Sequence, residues 1–146
     1  MPVIDRAETD SQIAACVDVM RQLRPHLTDA ESFVARVRVQ QANGYMLAAL
    51  RDDGIVRAVA GYRFIENLYS GRVLYVDDLV TDAACRSAGY GAALLDWLIA
   101  EARARQCQTF ELDSGVQRFG AHRFYLLHRM DIVAHHFRMR LTESGV

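Results

Sequence analysis

The apolar positions of this chain change period several times, and each change predicts a new element. Residues 3–6 read as a short opening strand. Ile13, Cys16, Val17 and Met20 then recur at helical spacing, with Thr9 or Asp10 placed to cap the start and Pro25 to end it. Thr28 opens a second helix, where Glu31 three residues on forms a capping box. Phe33, Val34, Val37 and Gln41 run along it, and Asn43-Gly44 stops it. β-Branched and aromatic runs predict three strands at 45–50, 55–67 and 72–80, turned by Asp52-Asp53-Gly54 and Ser70-Gly71. The middle run calls for a bulge or bend, marked by Gly61. Helical spacing returns over 89–105 through Leu94, Leu95, Trp97, Leu98, Ile99 and Ala102. A strand at 109–113, a helix at 118–129 and a final strand at 132–141 complete the order.

Strands joined by short turns pair antiparallel, whereas 72–80 and 109–113 are linked by a helix and pair parallel with a right-handed crossover. The order predicts an α/β (α+β) fold with a mixed, mostly antiparallel sheet, one parallel pair and helices on both faces. The 146 residues show no linker, repeat or low-complexity stretch, so one domain over 1–146 is expected.

Composition narrows the function. Hydrophobic residues make up 51% of the chain, charged residues 24%, and the formal net charge is −1. That balance argues against nucleic-acid and bilayer surfaces as partners, which reward a cationic excess. Every basic side chain apart from histidine is arginine; lysine is absent. Three cysteines, Cys16, Cys85 and Cys107, form no Cys-x-x-Cys pair, which predicts a reduced, cytoplasmic protein, and no signal peptide or long apolar run is evident. Cys85 beside Arg86 reads either as a thiol of lowered pKa or as a small packing residue. His122, His128, His135 and His136 are close in sequence. Adjacent residues of a strand face opposite ways, and no metal site is expected from them.

The most informative stretch runs from Leu79 to Leu95. An apolar strand is followed by Arg86-Ser87-Ala88-Gly89-Tyr90-Gly91 and the start of an amphipathic helix. Glycines let the backbone turn sharply and approach a ligand, and a helix start offers unpaired N–H groups and a partial positive charge. Together these make a seat for an anion such as a pyrophosphate. A dinucleotide fingerprint fails because Leu94 stands where its third glycine belongs, and a nucleoside-triphosphate loop fails for want of lysine. Asp77 and Asp78 interrupt the preceding apolar strand. They read either as a general base or as partners of arginines such as Arg63 or Arg72.

Strand, Arg-x-x-Gly-x-Gly and helix resemble the acetyl-CoA-binding motif of the GNAT N-acetyltransferase superfamily. Arg118-Phe119-Gly120-Ala121-His122-Arg123-Phe124-Tyr125 is similar to that family's Asn-x-x-Ala-x-x-Phe/Leu-Tyr helix, and the order of elements matches over nearly the whole chain. The resemblance implies acetyl-CoA as co-substrate, no metal, and a parallel pair splayed at the acetyl-CoA site. Leu79, Val80 and Thr81 would pair with the pantetheine arm through their backbones. Main-chain amides from Arg86 through Ser87, Ala88, Gly89, Tyr90, Gly91 and Ala92 would wrap the pyrophosphate. A carboxylate near this strand would be the base, and Asp78 is favoured over Asp77 because it lies nearer the acetyl-binding end. Tyr125 would be the acid for the leaving thiolate; the plainer alternative is a half-buried aromatic on an amphipathic helix. Ser114 would line the site. Arg118 replaces the family's asparagine, leaving its cofactor contact open, and Arg129-Met130 replaces the usual Gly-Phe, so that Asp131 is expected in the helix exit. His122 is placed to neighbour the cleft.

The implied reaction is transfer of an acetyl group to the primary amine of a small molecule by direct attack in a ternary complex. Arginines near the regions 21–26, 62–69 and 135–138 suggest an anionic acceptor. The rivals are a non-catalytic acyl-CoA-binding regulatory module and a protein or N-terminal acetyltransferase. Dimers are common among such proteins, and a homodimer is expected by resemblance.

Overall fold

A computed structural model describes residues 1–143 of the chain. It divides into two compact units, Met1–Glu111 and Leu112–Val146.

The first unit is built on strands β1 (Val3–Arg6), β2 (Met46–Asp52), β3 (Ile55–Asn67), β4 (Gly71–Thr81) and β5, which starts at Thr109 and ends at Leu112. They lie in one sheet in sequence order, and β1, β2, β3 and β4 pair antiparallel in turn. β5 follows the crossover helix α4 (Tyr90–Ala104) and is β4's parallel neighbour. It enters where the Gln108 N–H donates to the Arg72 carbonyl at 2.7 Å, so both strands start at the same end.

Alternation along the strands sends apolar side chains to both faces. Tyr45, Leu47, Ala49 and Val59 meet Ile13, Cys16, Val17, Met20, Phe33 and Val37 from helices α1 (Asp10–Ala14), α2 (Val17–Leu23) and α3 (Ala30–Gln41). The opposite parity places Tyr62 against Trp97 of α4, ring centres 6.3 Å apart, and α4 buries Leu94, Leu95, Leu98 and Ala102. These spacings follow the 3.6-residue period. A sheet covered on both faces needs near-continuous apolar strands, which is why β2 and β3 read that way.

Several local differences from the sequence reading have physical causes. The first predicted helix is two: after α1 the Cys16 N–H turns back to the Ile13 carbonyl at 3.0 Å, a tighter closure than the helical one, and α2 sets off afresh. Ile13 and Cys16 both reach full burial across this break, and burial pushes the Cys16 thiol up to about 12. Thr9 caps α1 in a capping box closed by Gln12. Asp29, not Thr28, caps α3, its carboxylate accepting from the Ser32 N–H.

In the second unit the helix α5 spans Phe119–Leu127. Its exit is not made by Asp131. Arg129 takes the left-handed conformation itself (φ 65°), while the Arg129 N–H reaches the Leu126 carbonyl and the Met130 N–H the Tyr125 carbonyl. This is the closure a glycine usually makes. The strand expected at 132–141 is not formed: residues 131–143 are exposed and carry no β-pairing among the described residues. Alternation supplies a strand's faces, but a strand exists only with a partner for its ladder.

Candidate active site

At the end of β4 the loop and helix start are built for a close approach. Asp82 accepts from the Ala84 N–H at 3.1 Å and from Gln22 Nε2 at 3.2 Å, and Gln22 Oε1 accepts the Ala83 N–H at 2.8 Å. The Ala84 N–H, followed by Gln22, holds the Asp82 carboxyl below its usual range. A short 3₁₀ turn, Ala83–Ala88, carries Arg86, Ser87 and Ala88 to the surface. Gly89 then sits left-handed at φ 81°, and nothing lies within 4 Å of where its Cβ would be. α4 begins at Tyr90 without a side-chain cap. Its first amides, on Tyr90, Gly91 and Ala92, come before the first in-helix bond, which the Ala93 N–H makes to Gly89. The Tyr90 hydroxyl donates to Asp52 at 2.6 Å and pins this helix start to the end of β2. Amides without intrahelical partners, open space beside Gly89 and a positive helix end would suit an anion such as a pyrophosphate.

β4 provides the adjoining edge. Leu79, Val80 and Thr81 pair with Ala60, Val59 and Ala58 of β3 on one side. On the other side β5 has only four residues and enters opposite Arg72, so it is spent before the last part of β4. No strand of the described residues pairs with that last part of β4 on this side.

Asp77 and Asp78 stand at a bulge. Gly61 pairs with Asp78 and Tyr62 with Val76, so Asp77 is the extra residue, on β4 rather than on the strand that holds Gly61. The bulge breaks the alternation that would have sent the two carboxylates to opposite faces. Asp78 Oδ2 accepts from the buried Tyr45 hydroxyl at 2.8 Å, and its Oδ1 from Arg24 Nε at 2.9 Å. Asp77 Oδ2 accepts from Arg63 Nε at 2.8 Å, and the same guanidinium lies 5.4 Å from the centre of the Tyr45 ring. Burial raises the Asp77 carboxyl above its ordinary value, against the lowering hydrogen bond and charge of Arg63. Burial, then the charge of Asp78, pushes the Tyr45 phenol well up. Gly61 is required by space, not by conformation: a Cβ there would stand 1.8 Å from the Tyr45 oxygen.

Sequence reasoning anticipated Arg63 as a partner of this pair. Arg72 is engaged elsewhere, donating to the Arg105 carbonyl at 2.9 Å. Arg24 and Gln22 lie in the region 21–26 expected near the acceptor, but their bonds to Asp78 and Asp82 were not anticipated, and Tyr45 was missed as a site residue. Arg24 precedes Pro25, whose ring bars helical geometry there, so its backbone turns out of α2 (φ −120°, ψ 77°). That one signal was readable; its target was not. Tyr62, expected near the acceptor, is fully buried and accepts from Arg6 Nε at 3.3 Å.

In the second unit Tyr125 is half-buried on α5, and its hydroxyl makes no hydrogen bond to the described residues. Burial raises its phenol above the ordinary value, and the charge of Arg118 opposes this. Arg118 occupies the N-cap of α5 without a side-chain cap bond. The Ser114 oxygen is shielded from water with no partner among the described residues. Its hydrogen-bonding capacity is therefore unused among the described residues. His122 is occupied, its Nε2 2.8 Å from the Gly115 carbonyl, and His136 Nδ1 lies 2.8 Å from Asp113. Among the described residues no three His, Cys, Asp or Glu side chains gather as a metal would require.

The model of a family described as "Acetyltransferase (GNAT) family" matches residues 11–128. The chain is 41% identical over 108 residues to the uncharacterized N-acetyltransferase YhdJ of Bacillus subtilis, covering 73% of this chain and 75% of that protein. It is 26% identical over 131 residues to the aminoalkylphosphonate N-acetyltransferase of Salmonella typhimurium, covering 90% and 82%. Among solved structures, one described as a transcriptional regulator from Bacillus halodurans C-125 shares the fold with a TM-score of 0.83 at 20% identity, over 97% of this chain and 100% of that one.

Proposed function

This chain belongs to the acetyltransferase (GNAT) family and is an acyltransferase enzyme, and we propose that it moves the acetyl group of acetyl-CoA to the primary amine of a small molecule, by direct attack in a ternary complex. The observation that carries the reading is the turn from β4 into α4, with its left-handed Gly89, open space beside it and uncapped amides. In this reading the amides of residues 87–92 and the Arg86 charge hold the diphosphate, and the backbones of Leu79, Val80 and Thr81 hold the pantetheine arm. Acetyl-CoA supplies the thioester. Ser114 and Arg118 are the second unit's candidates for cofactor contact.

An amine of pKa about 10 is scarce in its free form at neutral pH, so the site must take a proton. We assign that task to the carboxylate pair. Asp78 has donors on both oxygens; Asp77 has Arg63 on Oδ2 alone and a raised proton affinity. The weight therefore shifts from Asp78 to Asp77 as the receiving group. Tyr125, with its phenol raised and unbonded, stays protonated at neutral pH and is assigned as the acid for the leaving sulfur. The acceptor is proposed to carry an anionic group, as the phosphonate named for one relative does. Three free thiols support a reducing, cytoplasmic setting.

The test is release of free thiol from acetyl-CoA across a panel of amines that includes aminoalkyl phosphonates, amino acids and peptides. At least one small amine should give turnover, and Tyr125→Phe should lower kcat by about a hundredfold or more while leaving acetyl-CoA affinity within about twofold. Binding of coenzyme A without thiol release from any amine would leave an acyl-CoA-binding module instead. Release with peptides alone would reassign the acceptor to proteins.

A further inference from the structure

A glutamine on the outside of a helix usually keeps its rotamer freedom and holds nothing. Gln22, near the end of α2, is exposed, yet it bonds residues 60 and 61 positions further along the chain. Its Nε2 donates to Asp82 Oδ1 at 3.2 Å, and its Oε1 accepts the Ala83 N–H at 2.8 Å. A side-chain amide offers a donor and an acceptor side by side, and the entry of the loop uses both. The bonds that this entry makes within itself, from the Ala84 N–H to Asp82 Oδ1 and from the Cys85 N–H to the Asp82 carbonyl, fix its shape. Its place is fixed from outside, by the Asp82 N–H on the Arg57 carbonyl of β3 at 2.8 Å and by Gln22 of α2.

Gln22 reaches out from a fixed base. α2 buries Val17, Val19 and Met20 in the core. Two residues beyond Gln22, Arg24 leaves the helix and clamps the bulge, with Nε on Asp78 Oδ1 and Nη2 on the Asp77 carbonyl, each at 2.9 Å. The end of α2 thus grips the loop through Gln22 and the carboxylate pair through Arg24. Groups that must cooperate are held to fractions of an ångström only when a rigid element supports them both.

We infer that Gln22 is a positioning residue for the cofactor, setting the entry of the loop between β4 and α4 against α2 so that the amides of residues 87–92 stand in register with the carboxylate pair. Gln22 acts through Asp82 and Ala83 rather than on the ligand. The inference rests on the reading of that loop as the seat of coenzyme A.

Calorimetric titration of the full chain with coenzyme A tests this, using the parent, Gln22→Leu and Gln22→Glu from about pH 8 to about pH 5. Leucine removes both bonds at an exposed position. The dissociation constant should rise about tenfold at every pH, while Tm stays within about 5 °C of the parent. Glutamate keeps the acceptor for the Ala83 N–H but sets a carboxylate against that of Asp82. With both ionised the two repel; a shared proton restores the lost donor, and like-charge proximity raises the pH at which it is taken up. The other charges acting on Asp82 are Arg57, 3.8 Å from Oδ2, and Arg86, and neither titrates in this range. The Gln22→Glu constant, divided by the parent's at the same pH to cancel titration of the ligand phosphates, should fall from about tenfold at pH 8 to about twofold at pH 5. A glutamine of merely structural value would lower Tm without any such pH-dependent loss of affinity. Gln22→Leu binding within about twofold of the parent overturns the inference, and so does a Gln22→Glu ratio that stays flat with pH. A parent that does not bind coenzyme A overturns the reading of the loop itself, and this inference with it.

Discussion

Gly61→Ala tests the architecture beneath the carboxylate pair. The added Cβ would lie 1.8 Å from the Tyr45 oxygen, 2.3 Å from its ring carbon Cζ and 2.6 Å from Asp78 Oδ2. No real Cβ tolerates such contacts, and the Tyr45 ring, only 5% exposed, has no free space to enter. The ring must move, and its bond to Asp78 must break. Overpacking a filled core costs about 1–3 kcal/mol, and a buried polar group losing its partner costs about 1–3 kcal/mol more. The expected loss is therefore about 2–6 kcal/mol, or roughly 6–18 °C in Tm for a chain of this length. Tyr45→Phe alone should cost about 1–3 kcal/mol. The double variant should cost less than the sum by about 1 kcal/mol, because the 1.8 Å contact vanishes while the 2.3 Å contact to Cζ remains. Thermal melts of the parent and three variants complete the cycle. A Gly61→Ala protein with parental Tm would show that Tyr45 is not packed against this glycine, and strict additivity would uncouple the two residues.

Three further outcomes follow from single positions. Gly89→Val should weaken coenzyme A binding at least about tenfold, because a β-branched residue resists φ 81° and its side chain would fill the open space beside the amides; equal affinity by calorimetry would make the loop a mere turn. Arg129→Gly should stabilise the protein, since relief of about 1–2 kcal/mol of left-handed strain exceeds about 0.4–1 kcal/mol of added unfolded-chain entropy; a lowered Tm would contradict that sign. For catalysis, the acidic limb of the kcat/KM profile should lie above the ordinary aspartate value, because the raised Asp77 carboxyl is protonated and inert below its own pKa and active above it. Asp77→Asn should abolish that limb and Asp78→Asn preserve it, and the reverse pattern would hand the base to Asp78.

Much of this was legible because local chemistry decided it. β3 has the predicted bounds, since Gly54 and the Ser70-Gly71 pair punctuate a long β-branched and aromatic run. The Gly61 irregularity was readable too, but not which strand carried the extra residue: a bulge is a relation between two strands, and only their register reveals Asp77. Arg24 was illegible for a similar reason, lying 54 residues from Asp78 in sequence. The missing glycine at Arg129 was plain, yet its substitute was not, because an αL arginine is a tertiary concession and no propensity announces it. The segment 132–141 shows the limit most clearly. Its alternation states what each face would be, and nothing in it states which edge it would join.

The bulge also explains why two adjacent carboxylates are useful. A regular strand would send one to each face, and the one in the core would stand alone among apolar groups. The extra residue instead turns both toward Tyr45, Arg24 and Arg63, where two cations offset two anions. Donors to a carboxylate favour its ionised form, and they are unequally shared: Asp78 receives one on each oxygen, while Asp77 receives Arg63 on Oδ2 and keeps Oδ1 open. Burial then raises the proton affinity of the less fully bonded group. The division of labour follows. Asp78 ties α2 and the start of β2 to the bulge, and Asp77, held in place by that tie, keeps an oxygen that can take up a proton. Removing the extra residue would restore the alternation, separate the two groups and undo both roles together.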